Sequence, residues 1–447
     1  MAEQERPVWV WLPGSITPVE CGTFTWEPGE GKFLYSQDYL DRKDAAVAID
    51  PINLPFSRSK KPARTTAMNG VFGVLRDAAP EGFGLDLLNA KHGNRTLDEI
   101  ERMDLAAGDG VGAIEVCRPE EIEKKMSFLP PREEELRDRL ARTDVGESIT
   151  GLVRQLTGDD DGTSLGGEKP KLTVTREIGG KTEWWIAKLQ PRNGARLLPA
   201  REYVAMKLAQ RCGIDVAEVT FERVGVHEVV MVKRFDRKVV DGGVERTLFA
   251  SGATVLRLDS DTTREDPDRS YPKLAHELRR WSGDHEHRGA VDQQRELWRR
   301  MVYNALVGNY DDHPRNHGLL YRDGRWVLSP AYDIVAIPQT PLVQAMAVNR
   351  HSRYASPENL VSDAQVFAYE PVQAWETLRE MAATVHSSWR QMFHDECSVS
   401  EEDVEILRPA FKLAEGIVTG EMTLDPEIFN HKRRRGVARA PGHALEP

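Results

Sequence analysis

Asp311, Asn316 and Asp333 fall within one short stretch, VGNYDDHPRNHGLLYRDGRWVLSPAYDIV (307–335), in an order that suits metal-assisted phosphoryl transfer. That chemistry asks little covalent work of a protein. It needs one carboxylate to accept or orient the proton of an attacking hydroxyl, and oxygen ligands to hold Mg²⁺ against the phosphates. The spacing D-x-x-x-x-N offers Asp311 as the catalytic carboxylate and Asn316 as a metal-holding amide oxygen. A short hairpin, GLLY and RWVLS around the turn Arg322-Asp323-Gly324, then carries the chain to Asp333, a second metal-holding carboxylate. Asp312 competes for the first role, but only three residues separate it from Asn316, which favours Asp311. Asp and Asn also cap helices and form Asx turns, so the loop by itself does not define an enzyme.

What lies upstream strengthens the reading. In the strand TEWWIAKLQ, Lys188 alternates onto the same face as Trp184 and Ile186, where an ammonium group is tolerated only if it is paired. A nucleotide phosphate would pair it. Glu202 opens the following helix, PAREYVAMKLAQRCG, and supplies the glutamate of a lysine–glutamate pair, although an acidic first turn also suits a helix dipole. Ahead of the strand, SLGGEKPKLTV gathers Ser164, Gly166, Gly167, Lys169 and Lys171. Glycines let backbone amides approach phosphate oxygens, and the lysines add charge. This run fits neither G-x-x-x-x-G-K-[ST] nor G-x-G-x-x-G, which disfavours both of those nucleotide folds.

These residues must be positioned by a chain of 447 residues, long enough for two to four units. Short alternating runs (VWVWL, GTFTW, KFLYS) followed by a helical stretch from about 84 to 103 predict a small α/β domain over 1–125. The segment 126–147, with PPREEELRDRLAR, reads as a charged connecting arm or exposed helix. Strands return in a β-rich lobe over 148–248. Helical periodicity dominates 249–430, in LAHELRRW, QQRELWRRMVYNALVG, PVQAWETLREMAATVHSSWRQMF and VEILRPAFKLAEGIV. The basic end, 431–447, reads as a disordered tail. No window approaches the length of apolar sequence that a membrane span requires, and MAEQERPVWVWLPG lacks the pattern of a secretory signal, so a cytoplasmic location is expected. Four widely spaced cysteines predict buried thiols. With 60 basic against 71 acidic residues and a net charge of −11, broad nucleic-acid binding by the chain as a whole is disfavoured.

In sequence order, FGVLRDAAPEGFGLDLL, SLGGEKPK, IAKLQ, EVVMVKRFDR, SYPKLAHELRR, GNYDDHPRNHGLL and SPAYDIV resemble the HipA family of serine/threonine kinases, the toxin components of bacterial toxin–antitoxin modules. The resemblance runs over nearly the whole chain. It implies an α+β, protein-kinase-like two-lobed fold, with a β-rich nucleotide lobe and a mainly helical C-terminal lobe, preceded by a small α/β domain. It implies ATP and Mg²⁺ as cofactors, Asp311 as catalytic aspartate, Asn316 and Asp333 at the metal, and Lys188 and Lys171 at the phosphates. His313, Phe235 and Asp236 would line the nucleotide pocket, with backbone from Lys233 to Phe235 meeting the adenine. Ser164 would be an autophosphorylation site that ejects its loop and shuts the kinase off. Two departures stand out: Glu168 puts negative charge in the phosphate loop, and Lys233 occupies a position in the adenine segment where the best-known member has an acidic residue. The implied partners are a small helix-turn-helix antitoxin, DNA through that antitoxin, and a protein substrate such as an aminoacyl-tRNA synthetase or another translation factor. A non-catalytic co-repressor, or a kinase of small molecules or lipid headgroups, are the rival readings.

Overall fold

In the computed structural model the described residues are 3–42, 46–57, 61–143, 149–157, 165, 169–190, 195–259, 263–283, 288–339 and 342–424. Ser164, Gly166, Gly167, Glu168 and the tail 431–447 lie outside them. The chain begins with an antiparallel sheet of β1 (Gln4–Val10), β2 (Val19–Glu27), β3 (Glu30–Tyr35), β4 (Ala63–Thr65) and β5 (Ile114–Val116), in the order β4-β3-β2-β1-β5. Its alternation is plain in β2, where Phe24 and Trp26 are buried while Thr23 and Thr25 are half-buried. The helix expected over 84–103 is two helices, Gly82–Lys91 and Glu99–Asp104. Gly93 and Asn94 take left-handed backbone that ends the first, and Asp98 starts the second with a capping box to Glu101.

A second antiparallel sheet is built from β6 (Lys171–Ile178), β7 (Lys181–Leu189), β8 (Val219–Val224) and β9 (His227–Lys233), ordered β6-β7-β9-β8. Gly179 and Gly180, both at positive φ, close the β6–β7 hairpin in the twist that two-residue turns favour. One face of this sheet, with Trp185, Ala187 and Leu189, packs on Leu136 and Leu140 of the helix Glu133–Arg142. The expected exposed arm is therefore a layer of the fold on one side. Its apolar positions, four residues apart, are buried, while most of its charges stay in water.

The opposite face of β7 presents Lys188 to the helix Leu198–Arg211 and to the helical lobe. A hairpin, β10 (Arg237–Val240) and β11 (Gly243–Arg246), leads to β12 (Phe249–Ser251), which joins β13 (Gly318–Arg322) and β14 (Arg325–Leu328) in a three-stranded sheet. Around it lie the helices Tyr271–Ser282, Arg288–Leu306 and Pro371–Cys397. Leu297, Trp298, Met301, Val302, Ala305 and Leu306 bury one stripe of the middle helix. Each large apolar side chain among them contributes about 1.5–3 kcal/mol. That helix stops at Leu306, and Gly308 follows at φ +64, where a Cβ would come within 2.7 Å of the Ala410 carbonyl. Only glycine fits, which fixes the point from which the 309–317 loop departs. The run VEILRPAFKLAEGIV is broken at Pro409 into Glu401–Leu407, a 3₁₀ turn and Lys412–Thr419. All four cysteines are buried and unpaired, and no described helix is long and apolar enough to cross a membrane.

Candidate active site

Lys188 is the centre of the cleft. Its Nζ donates to Glu202 Oε1 at 2.5 Å and to Asp333 Oδ1 at 2.7 Å, joining strand, helix and the segment after β14. Burial alone would lower the pKa of this ammonium, but the carboxylates of Asp333 and Glu202 outweigh it and raise the pKa. Asp333 responds in the opposite sense: burial would push its carboxyl up, yet Lys188, with Lys169 and Lys171, holds it well below the usual carboxylate range. Its backbone is left-handed at φ +58, which Asp tolerates better than most residues, and the carboxylate remains about a third exposed toward the cleft. Lys171 pairs with Lys188 across β6 and β7. Burial first, and Lys188 second, bring Lys171 down to about 8. Three lysines therefore surround one anionic carboxylate, a concentration of positive charge suited to phosphate oxygens.

The loop after the helix Arg288–Leu306 separates the two adjacent aspartates by environment. Asp312 is 3% exposed, accepting from Tyr271 Oη and His317 Nε2 (2.8 Å to the latter), so it ties the loop to the helical lobe. Asp311 is 58% exposed and pairs only with Arg264 among the described residues, at 2.9 Å. A group that must meet an incoming hydroxyl needs the second environment. Asn316 is buried, and its Nδ2 reaches the Asp311 carbonyl at 3.5 Å, which leaves Oδ1 as the atom available to a cation. No group of three or more His, Cys, Asp or Glu that could hold a metal occurs among the described residues. Asn316 and Asp333 nevertheless fit Mg²⁺, which takes one or two protein oxygens and completes its shell with phosphates and water. His313 buries its Nδ1 with no hydrogen-bond partner among the described residues.

The segment expected to meet adenine is held tightly. Lys233 N–H donates to the Glu218 carbonyl and Arg234 N–H to the Trp184 carbonyl, both at 2.9 Å, while Arg322 donates to the Phe235 carbonyl at 2.7 Å. The Phe235 ring lies 5.5 Å from Tyr332, next to Asp333. Lys233 itself is neutralised by Glu183 at 2.5 Å. Asp236 is placed differently from the expectation. Its carboxylate is 3% exposed and is bound by Arg234, Arg237 and the Gly112 N–H, each at 2.8 Å, so it supports the segment from behind and does not face the cleft. Burial would raise its pKa, but Arg234 and Arg237 lower it well below the ordinary value. Sequence reasoning passed over Arg264, Arg315 and Tyr332. Arg315 could have been noticed as the one arginine inside D-x-x-x-x-N, but nothing local in sequence marks Arg264 or Tyr332.

A β-rich lobe whose strand lysine pairs with a helix glutamate, facing a helical lobe that offers an aspartate loop, is a protein-kinase-like two-lobed arrangement. The chain belongs to the HipA family: the family of HipA-like C-terminal domains matches residues 163–389, and that of HipA N-terminal domains matches 10–117. It is 24% identical over 374 residues to the candidate kinase Y4mE of Sinorhizobium fredii, covering 81% of this chain and 84% of that one. It is 23% identical over 290 residues to the serine/threonine-protein kinase toxin HipA of Shewanella oneidensis, covering 61% of this chain and 64% of the relative. Among solved structures, the Shewanella oneidensis complex of HipA, HipB and operator DNA contains a chain that superposes with a TM-score of 0.65 at 16% identity, covering 93% of this chain and 97% of that one. At that identity the likeness speaks for the fold.

Proposed function

We propose that this chain is an ATP- and Mg²⁺-dependent serine/threonine protein kinase of the HipA toxin type. The observation that carries the proposal is Lys188 held between Glu202 and Asp333, with exposed Asp311 presented on the adjoining loop. Lys188, Lys169 and Lys171 bind the phosphates, and the Lys233–Phe235 segment meets the adenine. Asp311 orients the acceptor hydroxyl and takes its proton as the oxygen bonds to the terminal phosphorus and the bridging P–O bond breaks. Asn316 and Asp333 would hold Mg²⁺, which when bound supplies neutralisation of phosphate charge. Positioning and charge do the rest.

The acceptor is a serine or threonine of a protein, and the family resemblance favours a translation factor such as an aminoacyl-tRNA synthetase. The same resemblance supplies a small helix-turn-helix antitoxin as partner, contact with DNA only through it, growth arrest as the outcome, and autophosphorylation of Ser164 as the off-switch. Incubating the purified protein with ATP labelled in the γ-phosphate, with and without Mg²⁺, tests the chemistry. Transfer to protein is expected only with the metal. Asp311→Asn should reduce it by about a thousandfold, within the range of lost general-base catalysis. Undiminished labelling in Asp311→Asn would refute the assignment.

A further inference from the structure

The segment FGVLRDAAPEGFG (72–84) takes no part in the cleft described above, yet its charged residues reach the loop that carries Asp311. Arg315, inside D-x-x-x-x-N, pairs through Nη1 with Glu81 Oε2. The other oxygen of Glu81 takes Arg76 Nε at 2.6 Å, Arg76 Nη1 reaches Glu99 at 2.8 Å, and Glu99 holds Arg102 at 2.9 Å. Opposite charges thus alternate from the first domain to the loop, and only Arg315 is more than about a fifth exposed: its side chain is 39% exposed against 18% for Glu81 and 15% for Arg76. The loop side of the pair is fixed as well, because Tyr332 Oη donates to the Arg315 carbonyl at 2.8 Å.

A second strut runs parallel. Asp77 accepts from Ser251 N–H and Oγ, each at 2.7 Å, and from Thr254 Oγ1 at 2.8 Å. Those residues start the one-turn helix Gly252–Val255, whose Gly252 N–H donates to the His317 carbonyl at 2.7 Å. A Cβ on Gly252 would come within 2.5 Å of the Pro314 carbonyl, so this turn lies directly on the loop. One short segment therefore reaches residues 314–317 directly through Glu81 and indirectly through Asp77 and the turn at Gly252.

We infer that Glu81 is a positioning residue for phosphoryl transfer: acting through Arg315, it holds the 311–317 loop in the geometry that aims Asp311 and Asn316. Its two carboxylate oxygens are taken by Arg76 and Arg315 and by none of the residues assigned to the nucleotide, so its loss should lower turnover and leave nucleotide affinity alone. The inference rests on the kinase reading for its consequence in catalysis, but its structural half can be read without activity. Hydrogen exchange supplies that readout at the amides of Asn316 and His317, which bond to the carbonyls of His313 and Pro314.

The experiment compares the wild type, Glu81→Gln, Glu81→Asp, Arg315→Gln and the Glu81→Gln/Arg315→Gln double variant of the full chain. Glu81→Gln should speed exchange at Asn316 and His317 about tenfold or more and lower kcat for transfer from ATP about ten- to a hundredfold, with KM for ATP within about twofold. Glu81→Asp keeps the charge and should recover part of both effects. The double variant should be no worse than Arg315→Gln alone, since both remove one interaction. Should Glu81→Gln fail to fold, Arg315→Gln breaks the same pair from the loop side and carries the same expectations. Unchanged exchange, additive losses in the double variant, or a loss confined to KM each overturn the inference. If the wild type transfers no phosphate while exchange responds as expected, the kinase reading falls and the loop-holding role stands.

Discussion

Lys171 gives the proposed phosphate site a pH dependence that can be worked out in advance. Its ammonium, ordinarily at 10.5, is brought down to about 8 by burial and by Lys188 alongside it. A bound triphosphate would restore the ordinary value by pairing with the charge, so above pH 8 the protein must take up a proton in order to bind. If binding restores 10.5 in full, affinity should weaken about eightfold between pH 7.5 and pH 9, or about 1.2 kcal/mol. Lys188 and Asp333 add nothing to the slope there, since one is raised and the other lowered away from that window. Unfolding cannot imitate the effect. Between pH 8 and 10.5 the unfolded chain holds a proton on this lysine that the folded chain has lost, so the group makes folding more favourable as pH rises. Calorimetric titration with a non-hydrolysable ATP analogue across that range measures the slope. Lys171→Arg stays charged throughout and should flatten it. A wild-type Kd that does not move, or an arginine variant with the same slope, would refute the assignment of Lys171 to the phosphates.

Three further outcomes separate the roles proposed for the acidic residues and the serine. Asp333→Ala should weaken Mg²⁺-dependent nucleotide binding more than Asp311→Ala does, measured with the same analogue with and without Mg²⁺; equal losses would end the division between metal-holding and acceptor-facing carboxylates. Asp312→Asn should cost about 2 kcal/mol of stability in urea unfolding, because Tyr271 and His317 lose a charged acceptor, while turnover per folded molecule changes little. A loss of turnover without a loss of stability would move the catalytic role to Asp312. Phosphorylation of Ser164, followed by mass spectrometry after incubation with ATP, should accompany loss of activity; a stoichiometrically modified and fully active protein would remove the switch.

The parts of the site that sequence made legible are the ones written by local rules. Lys188 stands out because a period of two puts it beside Trp184 and Ile186, and Asp333 because a hairpin with a turn at Asp323 and Gly324 delivers it after β14. Glu202 was expected to open its helix, but the helix begins at Leu198 and Glu202 lies past its first turn, so the glutamate's place in the site comes from its pairing with Lys188 and not from the helix dipole. What distinguishes Asp311 from Asp312 is not local: it depends on Tyr271 and His317 for one and Arg264 for the other. The family resemblance puts Asp236 in the pocket, whereas its partners include Gly112, 124 residues away. The break at Gly93 and Asn94 was readable from residue types that favour positive φ, but the apolar periodicity on either side outweighed it. Glu133–Arg142 looked exposed because charges dominate its composition. Two leucines one turn apart were enough to fix it to the sheet.

The first domain is bound to the rest through three arginines, Arg234, Arg237 and Arg246. Arg234 donates to the carbonyls of Asp109 and Gly110 at 2.6 and 3.0 Å, and Arg237 to that of Gly112 at 2.6 Å. Arg246 reaches Glu115 and the carbonyls of Gly108 and Lys125 at 3.0 to 3.1 Å, with its guanidinium 3.8 Å from the centre of the Trp11 ring. All three arginines are buried. Arg234 and Arg237 keep Asp236 as a charged partner, but Arg246 pairs with Glu115, and removing Glu115 would strand that buried cation at a cost of about 3–5 kcal/mol. Residues 108–115 therefore help to hold the strands that precede β12. Because Arg234 lies within the segment proposed to meet adenine, and Glu81 meets the loop that presents Asp311, the same domain touches both sides of the cleft. A docked accessory would bury apolar surface and leave the cleft's polar framework intact. Here the framework itself is shared, which makes the N-terminal sheet and its helices part of what shapes the site.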